Sequence, residues 1–548
     1  MDNIRLFLWL TFFAMLWLVY STWVADYSST ASADSPAVSS RSAPDPVSDQ
    51  DPPELSATTT NADPGAQGAA RAPTSLVHVR TDVLDVLIDL RGGDLVRADL
   101  PGYPVSKHSP DTVVRLLDYA PENHWVFQTG LRSAADGPEP NHLATYRSAN
   151  ADYVLLPDQD QLVVALDWVS EGSLTARKTY TFRRGSYAVD LDLSLTNSTA
   201  SPWRGAPYAQ MVRLHRPVKR SYTSVDSYSF TGPVLYDGDQ YDKLKVEDLA
   251  EEPITQTVTG GWLAAIQHHF LAAAGPPPDD EVRYQATARG EEFVLSALGS
   301  VEDVAPGAVL DYQLKLFVGP KLQEQLKATA NDLDLTVDYG VFTVISQPLY
   351  WVLSKIEIFV GNWGWAIVIF TILIKLAFYK LTETSGRSMA KMRKLAPRMK
   401  ALQERFKDDR QALSQAMMDL YKREKVNPAA GCLPILIQMP FFLAFYWVLV
   451  ESVEMRQAPF MLWIDDLSSR DPYFVLPLLM GAAMFFQTRL NPAPPDPVQA
   501  RVMQIMPLIF TGFFAFFPSG LVLYWLTNTA LSILQQWRIN TVVAKEAT

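Results

Sequence analysis

The sequence predicts an α+β membrane protein with a large β-sheet domain and a separate helical domain embedded in the bilayer. Apolar and polar residues alternate with a period of two through much of residues 76–320. Charge-free apolar stretches long enough to form transmembrane helices occur instead near the N-terminus and after residue 340. Residues 26–340 carry 25 Lys and Arg against 44 Asp and Glu, whereas residues 341–548 carry 21 against 14. The opposite net charges indicate that the two parts occupy different surroundings.

Residues 1–25 predict a transmembrane anchor. The stretch Ile4–Ala25 carries one charge, Arg5, and matches the ~20 residues that cross the hydrocarbon layer. A cleaved signal peptide is the alternative, because the small residues Ala31–Ala33 follow, but the apolar stretch is longer than such peptides use. Residues 26–75 contain few large apolar side chains and many Pro, Ser, Ala, Thr and Asp residues, a composition that predicts a disordered linker.

Residues 76–340 predict an antiparallel β-sandwich. In Leu84–Arg91 and in Val189–Thr196 an apolar residue stands at every second position, which is the pattern of a strand buried on one face. The segment Lys321–Leu333, near the end of this domain, has a helical pattern. The single cysteine of the chain, Cys432, excludes an intramolecular disulfide, so the sandwich is expected to fold on its core alone.

Residues 341–360 predict an amphipathic helix lying in the membrane interface, because Pro348, Lys355 and Glu357 interrupt an otherwise apolar segment. Residues 361–540 predict a core of five transmembrane helices. Four charge-free stretches predict these five helices, because the last stretch holds two of them: Ile358–Ile374, Cys432–Val450, Pro472–Thr488 and Val502–Trp537.

The first and last of these stretches carry further expectations. The first helix is expected to continue from Ile374 through Lys380. Pro518–Gly520 divides Val502–Trp537 into a hairpin of two arms. Each arm has about 16 residues, or ~24 Å of helix, which is shorter than the average hydrocarbon layer and predicts a locally thinned bilayer.

Residues 383–431 predict a cytoplasmic helical hairpin. This segment holds 12 Lys and Arg against 6 Asp and Glu, and the positive-inside rule therefore assigns it to the cytoplasm. Counting spans from there makes both termini cytoplasmic and residues 26–340 periplasmic. Asp408–Asp409 is expected to end one helix and cap the next. Apolar residues at coiled-coil spacing predict the seam between the two helices: Met392, Leu395, Met399, Leu402, Phe406, Leu413, Met417 and Leu420.

Basic residues cover the outer face of the first hairpin helix. One interpretation is a solvated face that touches anionic phospholipid headgroups, and another is a docking surface for ribosomal RNA or nascent chains. The sequence supports both interpretations equally. The residues of this face are Lys391, Arg393, Lys394, Arg398 and Lys400.

Lys375 lies inside the first predicted span of the core. An ionisable group inside a membrane costs ~3 kcal/mol or more at mid-bilayer and is therefore a functional hypothesis. The alternative is that its long stem lifts the ammonium group to the cytoplasmic headgroups. Several polar residues within apolar spans predict either a shared, wet cavity or direct hydrogen bonds between helices. These residues are Thr371, Gln438, Gln487, Thr511, Thr527 and Asn528.

The sequence has no motif of a hydrolase, metalloprotease or nucleotide-binding enzyme, and no Cys and His cluster with zinc-site spacing. It therefore predicts no catalytic residues, no metal and no cofactor. His268 and His269 are interpreted as structural, because neighbouring residues of a strand point to opposite faces of the sheet.

Several long motifs occur in a fixed order along the chain: Gly260–Trp262, Leu316–Lys321, Ser388–Arg393, Lys425–Pro440, Arg456–Phe460 and Phe517–Tyr524. On these motifs the chain resembles the YidC/Oxa/Alb family of membrane protein insertases, in its Gram-negative form with a large periplasmic domain. The resemblance implies a periplasmic β-supersandwich, as in sugar mutarotases, and five clustered transmembrane helices. It also implies a hydrophilic groove that is open to the cytoplasm and to lipid but closed to the periplasm.

The resemblance assigns roles to individual residues. Lys375 stands where the family usually has an arginine that attracts acidic residues in the N-terminal tail of a substrate, and Thr371 matches a groove residue. Trp525 stands where the family often has a tyrosine. The other groove residues are Gln438, Gln487, Thr511, Tyr524 and Asn528. A substrate slide would run along the span Cys432–Val450 and the first arm of Val502–Trp537, which are the third and fifth spans when the N-terminal anchor is counted. Plain core or lipid contact is the alternative for its members: Met439, Phe441, Phe442, Phe510, Phe513 and Phe514.

The resemblance implies a bacterial inner-membrane insertase and chaperone that acts alone or with the Sec translocon. Its expected partners are nascent membrane proteins, the Sec translocon, the ribosome and signal recognition machinery, and anionic phospholipids. The alternatives are a tethered periplasmic protein that modifies or binds carbohydrate, and a conventional channel or transporter. The first alternative would need a carboxylate or histidine site in residues 76–320, and the second usually has an internal repeat.

Overall fold

The structure is a computed structural model that describes residues 75–545 except 108, 136, 171, 173, 217–228, 407–408, 425, 427–432 and 491–496. The predicted anchor over residues 1–25 and the predicted linker up to residue 74 lie outside the described residues, as does Cys432. Within the described part, a β domain of two sheets precedes a set of helices.

Strands occupy most of the first part of the chain. The first ten are β1 (Leu76–Arg80), β2 (Asp85–Asp89), β3 (Asp94–Ser106), β4 (Ser109–Leu117), β5 (Trp125–Ser133), β6 (Arg147–Ser148), β7 (Asp152–Val154), β8 (Gln161–Val169), β9 (Leu174–Arg183) and β10 (Ala188–Asn197). The next ten are β11 (Trp203–Leu214), β12 (Thr231–Tyr236), β13 (Tyr241–Lys243), β14 (Ile254–Thr259), β15 (Trp262–Gln267), β16 (Phe270–Gly275), β17 (Glu281–Arg289), β18 (Glu292–Leu298), β19 (Glu302–Val304) and β20 (Val309–Pro320).

The strands form two sheets that pack face to face. The first has the order β14-β17-β18-β11-β5-β3-β2-β1-β7, with β19 on β11 and β4 on β3, and the second has the order β13-β12-β15-β16-β20-β10-β9-β8-β6. The pair of β1 with β7 is parallel, whereas neighbours such as β10 and β20 are antiparallel. Val189, Leu191, Leu193 and Leu195 are each at most 3% exposed, so the alternation read from the sequence is confirmed.

A buried lysine ties the two sheets together. Lys178 on β9 is fully enclosed, and its Nζ donates to Thr129 Oγ1 on β5 at 2.8 Å and to the carbonyl oxygens of Thr129 and Gly92. The carboxylate of Asp94 on β3 lies 3.4 Å from the same Nζ. Each proton of the ammonium group therefore has an acceptor in the opposite sheet, as a buried charge requires.

Helices form the second part of the chain and two short insertions in the first. They are α1 (Val246–Glu251), α2 (Gln323–Thr329), α3 (Thr343–Val360), α4 (Trp363–Ala377), α5 (Tyr379–Arg405), α6 (Arg410–Arg423), α7 (Leu433–Glu451), α8 (Val475–Leu490), α9 (Pro497–Phe514) and α10 (Ser519–Lys545).

A helix that spans a membrane must be both long enough and apolar enough. Among the described residues, no single helix meets both requirements, but Trp363–Ala377 and Tyr379–Met392 meet them as a pair joined at a 65° bend. Ile437–Glu451, Val475–Leu490 and Arg501–Phe514 are apolar but shorter.

The boundaries of the first core helix differ from the prediction. Gly361, with a φ of 65°, ends α3, and the side chain of Asn362 accepts a hydrogen bond from Trp365 N and so begins α4. Residues 358–360 therefore belong to the preceding helix, as the predicted bounds of 341–360 for that helix have it, although the charge-free stretch that predicted the first span begins at Ile358. The expected continuation through Lys380 is also wrong, because α4 ends at Ala377 and α5 begins beyond the bend.

The last helix is longer than predicted. The break near Pro518 divides α9 from α10, as expected, but α10 has 27 residues and extends to Lys545. The prediction ended this arm at Trp537, where the charge-free stretch ends. Arg538 interrupts only the apolar composition, and no proline or glycine follows it to stop the helix.

Helices α5 and α6 form the predicted hairpin. Leu395 and Met399 are buried together with Val426, and Met417 and Leu420 of α6 pack against them, which confirms this part of the seam. The carboxylate of Asp409 accepts hydrogen bonds from the N–H groups of Gln411 and Ala412, so the predicted cap of α6 is confirmed. Asp408 lies outside the described residues.

Candidate functional site

Four polar residues meet between α4, α7 and α10 and are called the polar cluster: Lys375, Gln438, Asn528 and Ser532. Lys375 Nζ donates to Ser532 Oγ at 2.8 Å, and Ser532 Oγ donates to the backbone carbonyl of Asn528 at 2.7 Å. Gln438 Nε2 donates to Asn528 Oδ1 at 2.8 Å. Three apolar helices are therefore joined by a connected set of hydrogen bonds.

Ser532 was not predicted as a site residue. It follows Asn528 by four residues and Tyr524 by eight, so the three side chains lie on one face of α10. The hydroxyl of Tyr524 lies beside the Gln438 side chain, and the residue is 1% exposed. This spacing was present in the sequence and would have identified Ser532.

The charge of Lys375 has no acidic partner in the described structure. The ion pairs formed by the described residues do not include this lysine. Its side chain is half-buried and points toward α10, where it meets Ser532. In this conformation the side chain therefore turns inward between the helices.

A small cavity of about 20 Å³ lies beside the cluster, at the bend between α4 and α5. Lys375 and Gln438 line it, together with Phe378 and Thr382. A volume of this size accommodates about one water molecule. In this conformation the cluster is therefore a narrow polar contact rather than a wide channel.

Thr371 lies one turn before Lys375 on the same helix face. It is 1% exposed, and its hydroxyl donates to the backbone carbonyl of Ile367 at 2.7 Å. This bond uses the only proton of the hydroxyl, and Thr371 is not among the residues that line the cavity described here.

Trp525 lies among aromatic side chains and does not reach the polar cluster. Its ring centroid is 4.7 Å from that of Phe442 and 5.4 Å from that of Phe514. Neighbouring residues of an α-helix point about 100° apart. Tyr524 and Asn528 share the polar face of α10, and Trp525 consequently turns toward α7 and α9.

The predicted slide residues divide into two groups. Phe442, Phe510, Phe513 and Phe514 form one continuous aromatic cluster with Trp525. Phe441 instead packs on Phe378 at the cavity, with ring centroids 5.5 Å apart, and Met439 is 40% exposed.

Gln487 and Thr511 lie on α8 and α9, and no hydrogen bond among the described residues joins either of them to the cluster. Gln487 is half-buried. Thr511 Oγ1 donates to the carbonyl of Pro507 at 2.7 Å, and the residue packs directly on Gly481 of α8. Thr511 therefore packs α9 against α8, and its hydroxyl bond lies within α9, so it forms neither the predicted cavity wall nor the hydrogen bond between helices that was the alternative.

Replacing Gly481 with alanine is expected to destabilise the helical part by about 1–3 kcal/mol, as overpacking usually does. The added Cβ would lie 1.9 Å from Thr511 Oγ1. The midpoint of heat-induced aggregation in detergent measures the effect. The double variant Gly481→Ala with Thr511→Ala should recover most of the loss, and an equal loss in both variants would contradict this packing contact.

The basic face of the hairpin is exposed in part. Lys391, Lys394 and Lys400 are exposed, and Arg398 donates to Glu424 of the loop after α6 at 2.6 Å. The side chain of Arg393 lies outside the described residues.

Comparison with known proteins identifies the class of protein to which this chain belongs. The family called 60Kd inner membrane protein matches residues 355–546, and the family called YidC periplasmic domain matches residues 76–352. The membrane protein insertases YidC of Thioalkalivibrio sulfidiphilus and of Methylococcus capsulatus are each 46% identical to this chain. Both alignments cover 100% of this chain and 99% of the relative.

A solved structure is also similar. It is described as an active YidC insertase crystal structure with the first transmembrane domain resolved, and it matches with a TM-score of 0.38 and 19% identity over 84% of this chain and 93% of that chain. The family models and the curated relatives define a bacterial inner-membrane protein. The chain belongs to the YidC family of membrane protein insertases, which confirms the predicted resemblance. The alternative of a tethered carbohydrate-active protein is not favoured.

Proposed function

We propose that this chain inserts and folds proteins of the bacterial inner membrane, alone or together with the Sec translocon, and that it does so without catalysing a covalent reaction. The observation that carries the proposal is the polar cluster. It holds a lysine without an acidic partner among the described ion pairs, and it lies between helices that are otherwise apolar. Such a group is costly in a membrane, so its presence there indicates a functional site.

The cluster would receive the polar tail of a substrate. Lys375 attracts acidic residues of the tail, while Gln438 and Asn528 offer hydrogen-bond donors and acceptors in place of water. These contacts lower the free energy needed to move polar groups through an apolar layer. The cavity of about 20 Å³ must widen for this step, so α4 and α7 are expected to separate when a substrate binds.

The hydrophobic helix of the substrate would then leave along the aromatic cluster of α7 and α9. Phe442, Phe510 and Phe513 lie on this path, with Trp525 behind them. Apolar transfer into lipid drives this step. The membrane potential adds ~2.3 kcal/mol per charge per 100 mV for an acidic tail that moves outward.

The topology follows the sequence. We propose that residues 76–340 form a periplasmic β-supersandwich, that residues 341–360 lie in the membrane interface and that residues 361–540 form a five-helix core. Both termini and the hairpin of residues 383–431 are cytoplasmic. The exposed lysines of the hairpin support contacts with anionic phospholipids and with the ribosome and signal recognition machinery.

Complementation tests the proposal. In a bacterium depleted of its own insertase, expression of the full chain should restore translocation of the N-terminal tail of a small Sec-independent substrate. Protease added outside spheroplasts then cuts the tail. A matched variant with Gln438→Leu and Asn528→Leu, present at the same level in the membrane, should restore little translocation of this tail. The proposal fails if the unaltered chain reaches the membrane at normal level and the tail stays uncut.

A further inference from the structure

The β domain holds the end of α7, the helix that carries Gln438. Glu451 is the last residue of α7 and is 5% exposed. Its Oε2 lies 3.7 Å from Nζ of Lys321, which directly follows β20 and is 3% exposed. Ser229, just before β12, donates to Oε1 of the same carboxylate at 2.8 Å. A buried ion pair therefore joins the sandwich to the helical part.

Glu451 is unfavourable at this position without a partner. The C-terminus of a helix carries partial negative charge, so a carboxylate there is repelled by the helix dipole. Burial adds a desolvation cost that a nearby cation must offset. Burial lowers the pKa of Lys321, and the attraction of Glu451 opposes that shift. Lys321 therefore offsets the cost of burying the Glu451 carboxylate at the end of α7.

Further contacts hold the residues next to Glu451. His268 Nε2 donates to the carbonyl of Val450 at 3.1 Å, and Tyr339, between α2 and α3, approaches the hydroxyl of Ser452 at 3.4 Å. His268 has a φ of 49° and lies in the turn between β15 and β16, with its ring stacked on that of His269 at 3.7 Å. The sequence analysis expected the two rings to point to opposite faces of a strand. They are instead stacked on each other at a turn.

The loop after α7 is held at a second place. Arg456 Nη2 donates to the carbonyl of Pro104 at 2.9 Å, and Gln457 Nε2 donates to the same oxygen at 2.9 Å. The guanidinium group of Arg456 also lies over the ring of Phe270, 5.5 Å from its centroid. The tip of β3 and the start of β16 thus both contact this loop.

We propose that the β domain is a positioning element for α7, and that Lys321 is its positioning residue through the buried ion pair with Glu451. This inference rests on the proposed function. Gln438 lies 13 residues before Glu451, or ~20 Å along the helix. A helix transmits a displacement of one end to the other, and the 2.8 Å bond between Gln438 and Asn528 breaks when the side chains part by more than about 0.8 Å.

The experiment compares substitutions of lysine in the full chain. Lys321→Met removes the charge, Lys321→Arg keeps it, and Lys321→Met with Glu451→Gln removes both charges. Lys327→Met is the matched control, because Lys327 is 57% exposed and forms a surface ion pair with Asp334 at 3.6 Å. Tail translocation by the complementation assay gives the activity. Hydrogen–deuterium exchange of residues 437–450 in nanodiscs gives the mobility of α7.

Lys321→Met should slow translocation at least about fivefold and speed amide exchange in α7, while strands β9 and β10 exchange as in the unaltered chain. In Lys321→Arg and in the double variant, translocation and the amide exchange of α7 should both stay close to those of the unaltered chain. Lys327→Met should change neither translocation nor exchange. Faster exchange with full activity would overturn the positioning role and leave the proposed function intact. Unchanged exchange in Lys321→Met would overturn the ion-pair clamp whether or not the chain proves to be an active insertase.

Discussion

Lys375→Glu is expected to reduce translocation of acidic N-terminal tails by at least about tenfold. Two unit charges about 8 Å apart at an effective dielectric constant of about 20 interact with ~2 kcal/mol. Reversing the charge turns this attraction into repulsion, and each ~1.4 kcal/mol corresponds to a factor of ten. The ammonium group of Lys375 meets Ser532 rather than a carboxylate, so its charge is available to a substrate.

The substrate tail supplies the control for this prediction. A tail in which the acidic residues are replaced by Asn and Gln should be translocated almost equally by the unaltered chain and by Lys375→Glu. Lys375→Arg should retain activity toward the acidic tail, because it keeps the charge. Equal translocation of the acidic tail by the unaltered chain, Lys375→Ala and Lys375→Glu would mean that the lysine only anchors the helix at the headgroups.

Local patterns in the sequence predicted the elements that depend on neighbouring residues. The alternation around Val189 and Leu191 predicted a half-buried strand because a strand exposes every second side chain to one face. The spacing of Leu395 and Met399 predicted the hairpin seam, and Asp409 predicted a cap, since both effects act within one or two helical turns. The strand, the hairpin seam and the helix cap could therefore be predicted without the tertiary structure.

Other features depend on residues that are distant in the chain. The ion pair between Lys321 and Glu451 joins positions 130 residues apart, and no local pattern links them. The direction of Trp525 follows from which face of α10 meets α7, and the resemblance that placed it in the groove concerned only its position in the sequence. The end of α4 at Ala377 was missed because the apolar composition continues across the break.

Lys178→Met is expected to lower the free energy of unfolding of the β domain by about 3–5 kcal/mol, the usual effect of removing one partner of a buried ion pair. The substitution leaves the carboxylate of Asp94, which is 4% exposed, with only the N–H of Thr129 as a donor among its described contacts. It also removes the donor to Thr129 Oγ1 and to the carbonyl of Gly92. Pulse proteolysis of the full chain across a urea series measures the change.

The decrease in the free energy of unfolding caused by Lys178→Met should depend on pH in a defined direction. Burial raises the pKa of Asp94 to about 7 even though Lys178 opposes the rise, so without the lysine the pKa rises further. A raised pKa stabilises the folded state below the pKa of the unfolded carboxyl, near 4, and this stabilisation is lost as the pH rises through the folded pKa. The defect of Lys178→Met should therefore be larger at pH 8 than at pH 5.5.

The double variant Lys178→Met with Asp94→Asn separates the two contributions to this loss. It removes the buried carboxylate as well as the lysine, so it should recover much of the stability and lose most of the pH dependence. The hydrogen bonds of Lys178 to Thr129 and Gly92 are absent from both variants and cancel in the comparison. If the double variant were as unstable as Lys178→Met at pH 8, those bonds rather than the uncompensated charge of Asp94 would be what Lys178 contributes to the sandwich.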